Sequence, residues 1–212
     1  MSARPRDVVV IGTGIAGLSA AVPALQGGAR VTILDRSPEE ERGGQTRYTE
    51  AYLRMKSETE VTDDFEDQFA HNAGGYLDPA IVHLAAEPRE RWPAVLKAMS
   101  FADPELVSAF ADAAGPTVQW LKSFGVRFDF LPTQFLTRSQ PRLLPVGGGL
   151  ALVEALAAEA GRRGARFIYD TAATGLRVDD NGHVTGVRAV GKGARPLHFT
   201  ADAVVLGCGG FE

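Results

Sequence analysis

The sequence predicts an α/β fold built on a parallel β-sheet, and three features near the amino terminus carry that prediction. Asp7 to Ile11 is a short continuous β-branched run, the pattern of a strand buried on both faces. The glycine-punctuated stretch Gly12 to Gly17 leads into a helical segment that ends at Gly27-Gly28. Arg30 to Leu34 is a second buried run, so the chain opens as a βαβ-type unit with parallel strands and a right-handed connection. Composition agrees with this reading. The chain has 212 residues, 45% of them hydrophobic and 23% charged. That is enough apolar surface to bury a core, and one to two domains at roughly 150 residues each.

The elements follow in order. The first helix is expected from about Gly14 to Gln26, with Pro23 removing the bond to the Ser19 carbonyl and kinking it at a cost of about 3 kcal/mol. Ser57 to Asp67 is acidic and reads as a solvated surface segment, because it lacks the Gly turn and terminal Glu of a calcium loop. Asp78-Pro79 and Asp103-Pro104 each pair an N-cap with Pro at the first helical position, so a helix is expected from each. Trp120, Leu121 and Phe124 close a further helix that stops at Gly125, and Val126 to Phe130 is a short strand. Gly147-Gly148-Gly149 opens a helix over Leu150 to Ala160 with Leu152, Val153 and Leu156 on one face. The region from about 50 to 163 therefore reads as a helical insertion. Ala165 to Tyr169 is a strand. Thr171 to Val178, His183 to Val190 and Leu197 to Thr200 form an antiparallel β-meander, with Asn181-Gly182 as its hairpin signal. Ala203 to Leu206 is a last apolar strand, which runs into Gly207-Cys208-Gly209-Gly210.

Charge and cysteine content exclude several functions. The net charge is −4, with 22 Lys+Arg against 26 Asp+Glu, so neither nucleic acid nor an anionic membrane surface is expected as a partner. A lone cysteine, Cys208, excludes an internal disulfide and a multi-cysteine zinc site. His71, His83, His183 and His198 are scattered and read as surface or packing residues, so no metal site is expected. Arg4 and Arg6 before an apolar run imitate a secretory signal, but ordered glycines and Pro23 interrupt the run, which falls short of a membrane span. No transmembrane segment is expected, and the cytoplasm is the expected compartment.

Gly12-Thr13-Gly14-Ile15-Ala16-Gly17 fits G-x-G-x-x-G between a strand and a helix. In that context Gly12 permits a tight turn, Gly14 lets a pyrophosphate approach the backbone, and Gly17 lets the helix pack on the strand. The helix start offers free N–H groups and a positive dipole end to phosphates. Asp35 closes the second strand, where its carboxylate can accept both hydroxyls of an adenosine ribose and repel a 2′-phosphate, with Arg36 beside it tempering the repulsion. A second glycine-rich stretch follows in Arg42-Gly43-Gly44-Gln45-Thr46. An NAD enzyme has no reason to place it there, whereas an extended FAD does. Tyr52 and Lys56 fit the Tyr-x-x-x-Lys pair of short-chain dehydrogenases, but they sit too soon after the second strand and the glycine spacing differs. An NAD-dependent dehydrogenase of another kind would explain the first motif and Asp35, but not Gly43-Gly44 together with the antiparallel strands.

Taken together, these residues resemble the N-terminal FAD-binding half of the flavoprotein family that includes fumarate reductase and succinate dehydrogenase, with FAD-dependent tricarballylate dehydrogenases the nearest branch. The matching pieces are Gly12–Gly17, Asp35-Arg36, Arg-Gly-Gly-Gln-Thr at 42–46, Gly-Gly-Gly-Leu-Ala-Leu-Val at 147–153, the antiparallel strands, and Gly-Cys-Gly-Gly-Phe-Glu at 207–212. The resemblance implies a Rossmann-like sheet in the order 3-2-1-4 and a single FAD-binding domain over 1–212. It implies Ile15, Ala16 and Gly17 on the pyrophosphate, Asp35 on the ribose, and Gln45 and Thr46 along the phosphates toward the flavin. Ala173 would meet adenine through its backbone, and Cys208, Gly209 and Gly210 would pass near the pyrophosphate. Two positions depart from the family, which more often has Asn at the place of Gln45 and Ala-x-Gly-Gly where Thr49-Glu50-Ala51-Tyr52 stands. Members continue into a capping domain that binds and protonates a dicarboxylate, then into a last FAD-binding segment. Those catalytic positions have no counterpart here. The implied function is the FAD-binding portion of an oxidoreductase that moves a hydride to or from a carbon beside a carboxylate of a di- or tricarboxylate. A non-catalytic FAD-binding module or a truncated remnant is the alternative, and an uncovered sheet edge would favour self-association.

Overall fold

The structure, a computed structural model, describes residues 4–61, 87–92, 94, 104–130 and 142–210. The chain opens as β1 (Asp7–Ile11), α1 (Ile15–Gln26) and β2 (Arg30–Leu34). Continuous β-branched residues suit β1 because both of its faces are covered: Val9 and Val10 point to opposite sides and are 2% and 0% exposed. Farther on come β3 (Leu53–Arg54), α2 (Pro104–Lys122), β4 (Phe128–Phe130), β5 (Arg142–Pro145) and α3 (Gly148–Arg162). The chain closes with β6 (Arg166–Ile168), β7 (Ala172–Val178), β8 (Val184–Gly191), β9 (Arg195–Thr200) and β10 (Ala203–Leu206).

Two compact units result, one of Met1–Ala51, Leu121–Asp129 and Leu144–Glu212, the other of Tyr52–Trp120 and Phe130–Leu143. The first holds a four-stranded sheet in the order β10-β1-β2-β6. All three pairings are parallel, with Val9 opposite Val204 on one side and Thr32 on the other. In order of appearance along the chain, this is the expected 3-2-1-4. The meander β7-β8-β9 is antiparallel throughout. It covers one face of the parallel sheet through a cluster of Val9, Leu34, Val187, Ala189 and Ala201, with Ile11, Leu176 and Phe199 packed around it. On the other face α1 buries Gly17, Leu18, Ala21 and Val22, and α3 packs against α1. Each fully buried Leu, Ile or Val here contributes about 1.5–3 kcal/mol of transfer free energy.

In the second unit β3 pairs antiparallel with β5, Leu53 opposite Leu143 and Arg54 opposite Arg142. The Arg142 guanidinium stands 5.6 Å over the Tyr52 ring. Thr59 lies against α2 so closely that a Cβ at Gly115 would meet its carbonyl oxygen at 2.0 Å.

Two expectations are corrected. The region from 50 to 163 is not helical throughout, since β3, β4 and β5 lie within it. The helices expected at Pro104 and at Trp120 are one, α2, which accommodates Pro116 in its interior. The first helix is present as expected, as α1 with Pro23 inside it, and the Gly27 N–H donates to the Pro23 carbonyl at 2.9 Å. The Asn181-Gly182 hairpin is closed by an Asx turn, with the Asp179 carboxylate accepting the Asn181 and His183 amides at 2.9 Å each. Asp63, Asp64, Glu66 and Asp67, the helix expected from Asp78-Pro79, and His71 and His83 lie outside the described residues.

Two predictions follow from this packing. A Cβ at Gly17 would meet the Gly12 carbonyl oxygen at 2.0 Å, whereas at Gly27, with an ordinary φ of −76°, its nearest neighbours are 3.5 Å away. In urea denaturation Gly17→Ala should therefore cost at least the roughly 1–3 kcal/mol of an overpacked core, while Gly27→Ala gains a few tenths to about 1 kcal/mol. On α3 the buried Glu159 carboxylate accepts from Arg162 at 2.7 and 2.8 Å and from Arg163 at 2.5 Å. Hydrogen bonding from Arg162 holds its carboxyl below the ordinary value against the opposing effect of burial, and Arg163 assists. A lowered folded-state pKa stabilises fully above the ordinary carboxylate range, and that stabilisation is lost as pH falls through the lowered value. Glu159→Gln should thus lower Tm at pH 7, and the difference from wild type should close on acidification below about pH 4.3. A difference that does not change with pH would exclude the ion pairs as its source.

Candidate functional site

Three loops converge at the carboxyl end of the parallel sheet, where β1 has β2 on one side and β10 on the other. Such a reversal in strand order leaves a crevice, because the chain departs from the two strands in opposite directions. Here the loops are locked by backbone-to-backbone contact. Gly12, at φ 102°, donates its N–H to the Leu34 carbonyl at 2.8 Å, and Gly207 donates to the Ile11 carbonyl at 2.8 Å. A Cβ at Gly12 would strike Gly207 O at 2.3 Å, and one at Gly207 would strike Gly17 N and Cα at 2.7 Å. Gly12, Gly17 and Gly207 are thus mutually exclusive of side chains.

A cavity of about 460 Å³ opens over this junction. Thirteen of the fifteen site residues expected from the sequence line it: Gly12, Gly14, Ile15 and Ala16 from the first loop; Asp35 and Arg36 after β2; Gly44, Gln45 and Thr46; Ala173 on β7; and Cys208, Gly209 and Gly210 after β10. Gly17 and Gly43 stand behind the wall. Gly17 makes the close contact with Gly12, and Gly43, at φ 111°, caps a 3₁₀ helix over Gly44–Tyr48 that replaces the expected loop. Sequence reasoning missed Ile11, Thr13, Leu34, Ser37, Thr171, Ala172 and Gly207, which also line the cavity. Ser37 carried a usable signal, since an Asp commonly accepts the amide two residues on.

Buried polar bonds fix the loops relative to one another. The Asp35 carboxylate, 9% exposed, accepts the Thr13 amide at 2.9 Å and the Thr13 hydroxyl on Oδ2, and the Ser37 amide at 2.9 Å on Oδ1. The Thr13 hydroxyl in turn accepts the Gly43 amide at 2.9 Å. Thr46 Oγ1 accepts the Ile15 amide at 3.0 Å, so it caps the start of α1 as well as lining the cavity. The Asp35 backbone bonds to Ile168 O at 3.0 Å and receives Thr171 N–H at 2.8 Å, which brings the start of the meander to the same point. Protein donors thus hold three of the roughly four acceptor positions of the Asp35 carboxylate.

The wall suits a dinucleotide. Gly14, Gly44, Gly209 and Gly210 present backbone instead of side chains, and nothing lies within 4 Å of where a Cβ would stand at Gly44 or Gly210. Such a surface lets a phosphate approach amide groups directly, next to the positive end of α1.

A model of the FAD-binding domain matches residues 7–212. The chain belongs to the FAD-binding domain family. FAD is the cofactor of this family, which is a family of flavin oxidoreductases. Among curated relatives, the domain is 27% identical over 206 residues to a vinyl phenol reductase of Lactiplantibacillus plantarum, covering 97% of this chain and 38% of that protein. It is 25% identical over 213 residues to a fumarate reductase (cytochrome) of Shewanella frigidimarina, covering 97% of this chain and 33% of that protein. The chain thus spans well under half of either relative. A solved structure of 3-ketosteroid-Δ4-(5α)-dehydrogenase from Rhodococcus jostii superposes with a TM-score of 0.67 at 23% identity, covering 95% of this chain and 45% of that one, which shows the fold. Among the described residues no helix is long and apolar enough to cross a membrane, and no group of three metal-binding side chains occurs.

Proposed function

We propose that the cavity at the carboxyl end of β1 holds FAD, and that the domain serves a flavin oxidoreductase acting beside a carboxylate. The observation that carries this reading is the glycine-built wall: three loops, far apart in sequence, present bare backbone to one cavity beside the start of α1. In this reading Ala16 and Gly14 offer their amides to the pyrophosphate. Asp35 takes the ribose, with Ala173 and the adjoining start of β7 beside the adenine. Gln45 and Thr46 lie along the phosphates toward the flavin, and Cys208, Gly209 and Gly210 face the pyrophosphate from the other side. Bound FAD would supply hydride transfer at its isoalloxazine ring, and this chain's residues bind and orient it.

For the substrate, the reading is a di- or tricarboxylate, of the fumarate or tricarballylate type. The fumarate reductase relative supports this class. The free thiol of Cys208 suits a reducing compartment, and the cytoplasm belongs to the same reading.

Gel filtration after FAD titration tests the cofactor site, and a flavin absorption band that co-elutes with the chain is the expected result. Gly14→Val gives the sharper test. Gly14 has φ −70° and ψ 178°, and a Cβ there would meet its nearest protein atoms, Gly43 O and Thr46 Oγ1, at an ordinary 3.5 Å. The variant should therefore fold and lose FAD by obstructing the pyrophosphate, at a cost of at least tenfold in Kd. Unchanged affinity would remove the pyrophosphate from this loop. An independent check uses Cys208, the sole cysteine, which is exposed and lines the cavity. Saturating FAD should slow its alkylation by iodoacetamide severalfold, and equal rates with and without FAD would place the cofactor elsewhere.

A further inference from the structure

We propose that Thr13 is a positioning residue that closes one side of the Asp35 carboxylate, so that the site reads one ribose hydroxyl and not two. The inference rests on the FAD site described above and deepens it. A carboxylate offers about four acceptor positions, two on each oxygen. On Oδ2 both are used, by the amide and the hydroxyl of Thr13. On Oδ1 one is used, by the Ser37 amide at 2.9 Å. A single acceptor position remains, and it is on Oδ1.

The Thr13 hydroxyl has no freedom to release Oδ2. It has one proton, and its two partners have opposite needs: the carboxylate can only accept, and the Gly43 amide, 2.9 Å away, can only donate. The proton therefore lies toward Asp35. Thr13 is 1% exposed, so water does not compete for its hydroxyl. The result is a directed chain from Gly43 N–H through the Thr13 hydroxyl to Asp35 Oδ2, which joins the first glycine loop, the end of β2 and the second glycine stretch. It sets the angle of the carboxylate before any ligand arrives. It also leaves Oδ1 of Asp35, a residue that lines the cavity, as the oxygen with an acceptor position to spare.

Isothermal titration of the purified chain with ADP, 2′-deoxy-ADP and 3′-deoxy-ADP tests this directly. ADP carries the ribose and pyrophosphate without the flavin, so the readout is independent of any activity. For wild type, one deoxy analogue should bind at least tenfold more weakly than ADP and the other within about twofold, as expected for one hydrogen bond to a charged group. Thr13→Ser keeps the hydroxyl and should keep this asymmetry. Thr13→Val removes it, frees an acceptor position on Oδ2, and should shrink the asymmetry between the two analogues. A merely structural loss would lower all three affinities together and leave the asymmetry intact, which overturns the positioning role. Equal weakening by both deoxygenations in wild type also overturns it, and that result needs no variant to fold. Failure of wild type to bind ADP at all would instead remove the cavity reading on which this inference stands.

Discussion

The contact on which the rest of this domain depends is the approach of three backbone segments at Gly12, Gly17 and Gly207. Helix α1 meets the end of β1 with Gly17 against the Gly12 carbonyl, and the loop after β10 presses on both. No side chain fits anywhere in that junction. Two consequences follow from one constraint. The helix sits low enough on the sheet to bury Leu18 and Val22 completely. Its first turn is also held at the carboxyl edge of β1, where the cavity opens. The packing of the helix and the opening of the cavity are thus set by the same missing Cβ atoms.

A second layer of control is polar. Burying a carboxylate costs several kcal/mol unless hydrogen bonds compensate. Asp35 meets that cost with three protein donors, contributed by Thr13 and Ser37. These bonds cross-link loops that the parallel sheet alone would leave independent, because sheet hydrogen bonds end at Leu34 and Ile11. The same bonds leave the group only one vacant acceptor position. A buried, satisfied carboxylate can therefore be both a structural clamp and a ligand contact, and the number of its lone pairs limits how much of each it can be.

The local signals in this sequence were strong where one short segment sufficed to create them. The β-branched runs of β1 and β2, the glycine spacing between them and the alternation of the meander each state their conformation within ten residues. Signals failed where distant segments decide. Leu53–Arg54 is too short to show a strand period, and it is a strand only because Arg142–Leu143 lies beside it. Arg42 to Thr46 reads only as a glycine-rich stretch, and Gly44–Tyr48 is a 3₁₀ helix whose cap, Gly43, is pinned by the Thr13 hydroxyl thirty residues earlier. The helix from Asp103-Pro104 and the one closed by Trp120, Leu121 and Phe124 read as two, and they are one, α2.

For the candidate site the division is equally physical. Sequence alone determined the parallel sheet, the G-x-G-x-x-G turn and most of the loop residues that surround the cavity, because glycine and strand patterns are local and the chain order fixes which loops share a sheet edge. Only the tertiary structure decided what each of those residues does. It put Gly17 and Gly43 behind the wall, gave Thr46 a capping bond to Ile15, and turned Asp35 inward onto Thr13 and Ser37. Those roles are assigned by hydrogen-bond partners that meet only after the sheet has formed, and no spacing along the chain encodes which lone pair a distant hydroxyl will occupy.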